Sequence, residues 1–301
     1  MTLPGPFGTP SRLTAAVIAA VAVLGVALLG AGLAQTGTGE LRIPASGTTT
    51  LLRLLVLTGL AVSIGETTGR RLAGAGPRPR ALAAPAALLA AAASAALLLL
   101  FTAVSGLSPV VVYGLREGRL LLATANACVL AALCAASRRP GLAALPLAVA
   151  VGAEAMRAHP ETAPLLGTCL TLVHLTAACL WTGTLLYVLR TMRLRDGGRD
   201  VLVRYARMAA WVYAALAVTG TVSTLRKLPL DAVLNTAYGR ILLVKLALFG
   251  GASLLALAAR GRMRSGADAR SPARVEVAVL GAIVLVSALL TVVPDPHGIV
   301  P

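Results

Sequence analysis

Acidic residues are scarce in this chain, 11 Asp and Glu against 27 Lys and Arg in 301 residues, and charged residues of every kind make up only 13% of it. So little charge cannot solvate a large surface, and a 57% hydrophobic content with a mean hydropathy of +0.85 excludes an ordinary water-soluble domain. Aromatics are 3%, which leaves no platform for stacking bases, so the net charge of +16 does not imply nucleic acid. The four cysteines, Cys128, Cys134, Cys169 and Cys179, all lie inside apolar runs and imply no disulfide framework. Cys128 and Cys134 are six apart, and Cys169 and Cys179 are each five from His174, spacings that share no helix face. They are read as packing residues. A Walker loop, a nucleophile beside a base and a metal-hydrolase motif are all missing, so the chain is not expected to be an enzyme. Histidine is short too: a pair of membrane-spanning haems needs four intramembrane histidines, and only one of the three here lies deep in an apolar run.

What the chain has is long apolar runs. They cover roughly Leu13 to Ala34, Leu51 to Gly65, Ala81 to Val104, Leu120 to Ser137, Gly141 to Arg157, Pro164 to Leu189, Val203 to Leu225, Gly239 to Ala259 and Val275 to Val293. About 20 apolar residues cross a bilayer as a helix. The expected fold is therefore an all-α polytopic membrane bundle of about nine spans, or eight if the first is a cleaved signal, whose small-residue end Ala-Gly-Leu-Ala resembles a cleavage site. Loop charge tests this count, because cytoplasmic loops carry the Lys/Arg excess. Arg70, Arg71, Arg78 and Arg80, then Arg138 and Arg139, then Arg193, Arg195 and Arg199, then Arg262, Arg264 and Arg270 mark every second loop. The loops between them are near neutral: Glu40 with Arg42, Arg116 with Glu117, His159 with Glu161, and Arg226 and Lys227 with Asp231. The alternation puts the N-terminus inside and the tail outside, and makes the +16 mostly a matter of topology and anionic headgroups. No tandem repeat is visible, and the tail 294–301 is too short for a core of its own.

His174 stands out in the sixth run. It lies about ten residues from the outer end, roughly 15 Å deep, and a polar ring at that depth is a functional candidate by default. Trp181, seven residues on, shares its face and sits too deep for an interfacial anchor. The plainer reading of His174 is a neutral ring bonded to a neighbouring helix. Glu154, Met156 and His159 gather at the outer end of the fifth run, Arg53 at the outer end of the second, and Arg240 and Lys245 in the outer part of the eighth. Snorkelling or pairing at the headgroups accounts for the charged ones. Glu66 and Glu276, at the cytoplasmic ends, read as helix-end or ion-pair residues. Imidazole and thioether without carboxylate suit Cu(I), and Met156 and His159 are three apart, neighbours if the helix continues to them.

The run VHLTAACLWTG, followed in order by RYARMA, AVTGTVSTL, TAYGRILLVKLAL, a basic loop and RVEVAVLGAIVLVSALLTVVPDP, resembles the copper resistance D (CopD) domain of bacterial inner-membrane proteins. The elements that carry it are His174, Trp181 and Gly183; Thr219 and Gly220; Tyr238, Gly239, Arg240 and Lys245; Glu276; and Thr291 to Pro294. It divides the chain into an N-terminal half (1–163), a CopD-like domain (164–296) and a short external tail (297–301). The resemblance implies a multi-pass protein of the bacterial plasma membrane that takes up copper, and places a histidine near His159, although the Arg-Ala-His-Pro context here departs from the family's Gly-His-Ala type segment. Its members often work with a small copper-binding domain of the CopC type. These residues hold no such domain, so an external donor is expected as a separate protein.

On this reading copper ion, Cu(I) foremost, is the cargo and the bilayer the main partner. His174 is the midplane ligand, His159 and Met156 are outer ligands, and Trp181 shapes the path. Tyr238, Arg240 and Lys245 organise the mouth, with Glu154 or Asp231 expected beside Arg240 and Lys245 to offset their charge. The alternative is a non-transporting accessory, sensing or assembly protein whose histidine is structural.

Overall fold

The computed structural model describes residues 45–158, 164–194, 199–228, 232–265 and 270–293, with isolated positions between 25 and 38. The first expected span, His159, Asp231 and the tail lie outside the described residues. Every regular element among those described is helical: α1 (Ser46–Ala73), α2 (Ala83–Ser105), α3 (Pro109–Gly114), α4 (Arg116–Ala136), α5 (Ala144–Arg157, preceded by a 3-10 turn at Pro140–Ala143), α6 (Pro164–Met192), α7 (Arg199–Lys227), α8 (Ala232–Asn235), α9 (Ala237–Arg264) and α10 (Arg270–Leu290). Seven of these, α1, α2, α4, α6, α7, α9 and α10, are long and apolar enough to cross a membrane. The protein is an all-α polytopic bundle.

Boundaries follow local chemistry. Ser108 caps α3 ahead of Pro109 at the first helical position, and the Thr236 hydroxyl accepts from Gly239 N at 3.1 Å to start α9. Gly106, at φ +67°, ends α2 in the left-handed conformation that glycine adopts without strain. The second expected run stops at Gly65, yet α1 continues to Ala73. Glu66 does not break it because its carboxylate is fully partnered. Oε1 accepts from Arg70 at 2.8 Å, Oε2 accepts from the backbone of Leu82 at 2.6 Å at the entry to α2, and Arg190 of α6 lies 4.0 Å away.

The fifth expected run is a 14-residue helix and falls short of a span by itself. Together with the turn before it, it nonetheless covers the same depth as α1. Its start, Gly141, lies beside Arg71, and its end, Glu154, pairs with Arg53. Arg53 and Arg71 are 18 residues apart on α1, roughly 27 Å.

The N-terminal half packs α1 on α2, α2 on α4, and α4 on α5; the C-terminal half packs α6 on α7 and α9 on α10. The two halves meet chiefly along α1 and α6. There Gly65 and Gly183 bring the helices into backbone contact, and a methyl on Gly183 would overlap the Ala61 carbonyl. Without a hydrophobic drive between helices in lipid, such close approach is a main source of association.

Candidate functional site

The marked face of α6 is turned towards α7, α9 and α10, away from the α1 seam. At its outer part His174 Nδ1 lies 2.9 Å from the Thr219 hydroxyl of α7. That hydroxyl has one proton, and it is donated to the Ala215 carbonyl at 2.6 Å. With that proton on the Ala215 carbonyl, the Thr219 oxygen accepts from His174 in the tautomer that carries its proton on Nδ1 and a lone pair on Nε2. Among the described residues Nε2 has no hydrogen-bond partner. An imidazole oriented through one nitrogen and open at the other is the arrangement a metal-binding histidine adopts. Lys245 of α9 is the nearby charge whose field reaches the ring, and it makes no ion pair among the described residues. His174, Thr219 and Lys245 lie ten, eight and eight residues from the outer ends of their helices, which places them at one depth.

Below this layer Trp181 is buried at 2% exposure. It stands edge-on to Tyr213 of α7 and Phe249 of α9, with centroids at 5.8 and 5.9 Å, and those two rings stack at 5.2 Å. The three rings fill the space between α6, α7 and α9. Deeper still, Trp181 Nε1 donates to Glu276 Oε1 of α10 at 2.8 Å. Glu276 is buried nearly two turns into its helix, and among the described residues no lysine or arginine pairs with it, so it is neither the helix-end nor the ion-pair residue expected. Tyr205 of α7, a buried hydroxyl without a hydrogen-bond partner, is the titratable group that feels the Glu276 carboxylate. Tyr205 and Phe249 went unremarked in the sequence. Their only signal is rarity, five tyrosines and three phenylalanines in the chain.

The expected mouth is arranged differently. Glu154 is nowhere near Arg240 or Lys245 in its bonding. It is buried between Arg53 at 3.4 Å and Arg157 at 3.0 Å, and accepts from Thr124 at 3.3 Å. Glu117 completes the group, 2.7 Å from Arg157 and 3.9 Å from Arg53. Two arginines and two glutamates neutralise one another and bind the outer ends of α1, α4 and α5. Sequence alone misassigned the partner because Arg157, three residues from Glu154, was taken only as the end of its span. Arg240 is held by backbone carbonyls instead, Nε donating to Leu234 at 2.8 Å and Nη1 to Thr36 at 3.0 Å. Tyr238 packs against the cluster of Ala237, Ile241, Val286 and Val293. Met156 has an exposed side chain, and its carbonyl accepts from Arg116 at 2.7 Å. Among the described residues no three His, Cys, Asp or Glu side chains converge as a metal cluster, and the four cysteines are free thiols.

The ion network carries a prediction. Glu154→Gln alone leaves Arg53 and the buried Arg157 sharing Glu117, one positive charge in excess, and should cost about 3 kcal/mol. The double variant Glu154→Gln with Arg157→Gln should recover much of that loss in thermal unfolding in detergent. Additive losses would show that the pair is not coupled.

A bundle of long apolar helices with a deep polar column defines a multi-pass membrane protein. Residues 199–293 match the family model described as Copper resistance protein D. The match takes in α7 to α10, with Thr219, Lys245 and Glu276; His174 and Trp181 stand on the helix before it. No curated protein and no solved structure matches the chain.

Proposed function

We infer that the protein carries copper ions across the bacterial plasma membrane, inward from the outer side, with His174 as the ligand at the centre of the path. The observation that supports this most directly is the Thr219 hydroxyl 2.9 Å from Nδ1, which orients the ring through that nitrogen and leaves Nε2 without a hydrogen-bond partner among the described residues, open to a soft cation. His159 and Met156 serve as outer ligands ahead of it, and a separate CopC-type protein is the donor. The Trp181, Tyr213 and Phe249 rings close the path below the histidine, so an ion bound there is held from the inner side until the aromatic layer moves. Glu276 and Tyr205 are the next polar groups beyond it.

One observation favours the rival, a non-transporting accessory protein with a structural histidine. Lys245 stands near His174 with no acid among the described residues to offset it, and an ammonium there opposes an arriving cation. In the transport reading the Lys245 head swings outward to the headgroups, eight residues being within reach of snorkelling. Copper accumulation by proteoliposomes of defined orientation separates the two readings. Lys245→Met should raise uptake several-fold if the ammonium is the barrier. Accumulation no greater than in protein-free vesicles would leave the accessory reading standing.

A further inference from the structure

Outside the polar column lies a groove of about 600 Å³ between α7 and α9, lined by Val203, Ala206, Arg207, Ala210, Trp211, Arg260, Met263 and Arg264. On α7 the lining positions 203, 206, 207, 210 and 211 form one helical stripe, and 260, 263 and 264 form the facing stripe on α9. The two helices barely touch, and they are the least covered of the seven spans. The groove lies at their basic ends, which the positive-inside rule assigns to the cytoplasm. Helices of 29 and 28 residues run roughly 42 Å, against about 30 Å of hydrocarbon. About the innermost four or five residues of each helix therefore reach the headgroup layer, which takes in Arg260 and Arg264 of α9; Arg207 starts one turn deeper on α7 and reaches that layer by snorkelling, and Trp211, 78% exposed, lies a further turn into the hydrocarbon.

Among the described residues none of these three arginines makes an ion pair or hydrogen bond. Three guanidinium groups lining apolar walls, with no acid among the described residues paired to them, match a phosphate joined to acyl chains. We propose that this groove is a binding site for an anionic phospholipid of the inner leaflet, its phosphate held by Arg207, Arg260 and Arg264 and one acyl chain running inward along Ala210 and Trp211. Guanidinium forks suit phosphate geometry, and basic clefts between spanning helices on this side of a membrane are lipid sites in general. The bound lipid fills the gap between α7 and α9 that no side chain fills, and so fixes the spacing of two helices that carry the polar column.

The test uses full-length protein in vesicles that mix phosphatidylcholine with phosphatidylglycerol, one or the other carrying brominated chains. Quenching of Trp211 is read after subtracting a Trp211→Phe background. The expected preference for phosphatidylglycerol is about tenfold. It should fall to near unity in R207Q/R260Q/R264Q and stay near tenfold in R193Q/R204Q/R274Q, which removes the same charge from exposed positions at the same end. Ala210→Phe fills the groove, leaves every charge in place, and should also abolish the preference; it carries the test if the glutamine triple fails to insert. Equal losses in both triples would reduce the effect to a diffuse field, and an unchanged preference in Ala210→Phe would place the lipid elsewhere. Resistance of Trp211 to both brominated lipids would mean that a second copy of the chain covers this face. Loss of the preference on adding inorganic phosphate would make it a free-anion site. Each of these overturns the proposal.

Discussion

Replacing His174 by leucine should abolish copper accumulation in reconstituted vesicles and leave the amount of inserted protein unchanged or higher. Leucine has similar bulk and is cheaper to place in lipid than a polar ring, so insertion has no reason to suffer. The structural loss is small. Thr219 keeps its own bond to the Ala215 carbonyl, and the forfeited contact is worth only about 1 kcal/mol in a membrane. The chemical loss is complete, since no leucine atom can bind a metal ion. Thr219→Val sharpens the comparison: it keeps the ring but removes the acceptor that orients it, and should weaken metal capture by about tenfold, the usual scale for an outer-shell partner. Flux is divided by the quantity of protein in each vesicle preparation. Normal flux per molecule in His174→Leu, accompanied by a reduced protein level, would identify a structural histidine and remove it from any pathway.

The sequence carried the spans well because bilayer thickness sets their length and loop charge sets their direction, two constraints that act locally. The pairing of His174 with Trp181 on one face was equally readable, since seven residues return a helix to nearly the same side, and both side chains do point towards the C-terminal helices. Partner identity was another matter. Glu154 meets Arg53 across 101 positions of sequence, and nothing in spacing distinguishes that arginine from Arg240. Glu276 reads in the sequence as a helix-end or ion-pair residue because position along a span says little about what a neighbouring helix presents; its partner is the indole of Trp181. The arginines of the groove were hidden in plain view, each counted as topology. Only the packing reveals that α7 and α9 stand apart and that three of those charges face one cleft.

Gly183→Val should cause the largest loss of folded protein of any single substitution in the chain's described helices. A β-carbon at Gly183 would overlap the carbonyl oxygen and carbon of Ala61, and one at Gly65 would overlap the backbone of Gly183 in turn. These partners are main-chain atoms of α1, so no rotamer change can make room and the helices must move apart. That opens the seam joining the two halves of the bundle and forfeits backbone contact that lipid does not replace. Overpacking of a rigid site costs about 3 kcal/mol or more, a large share of a stability that is typically about 5 to 15 kcal/mol. Gly281→Val is the control, because a β-carbon there meets nothing within 4 Å, and it should leave the monodisperse fraction in detergent close to that of the parent. A normal elution profile for Gly183→Val would mean that α1 and α6 are not in backbone contact in the membrane. The comparison matters for function as well: Gly183 sits two residues from Trp181, and loss of copper uptake in a Gly183 variant would be misread as a defect of the pathway unless the folded fraction is measured first.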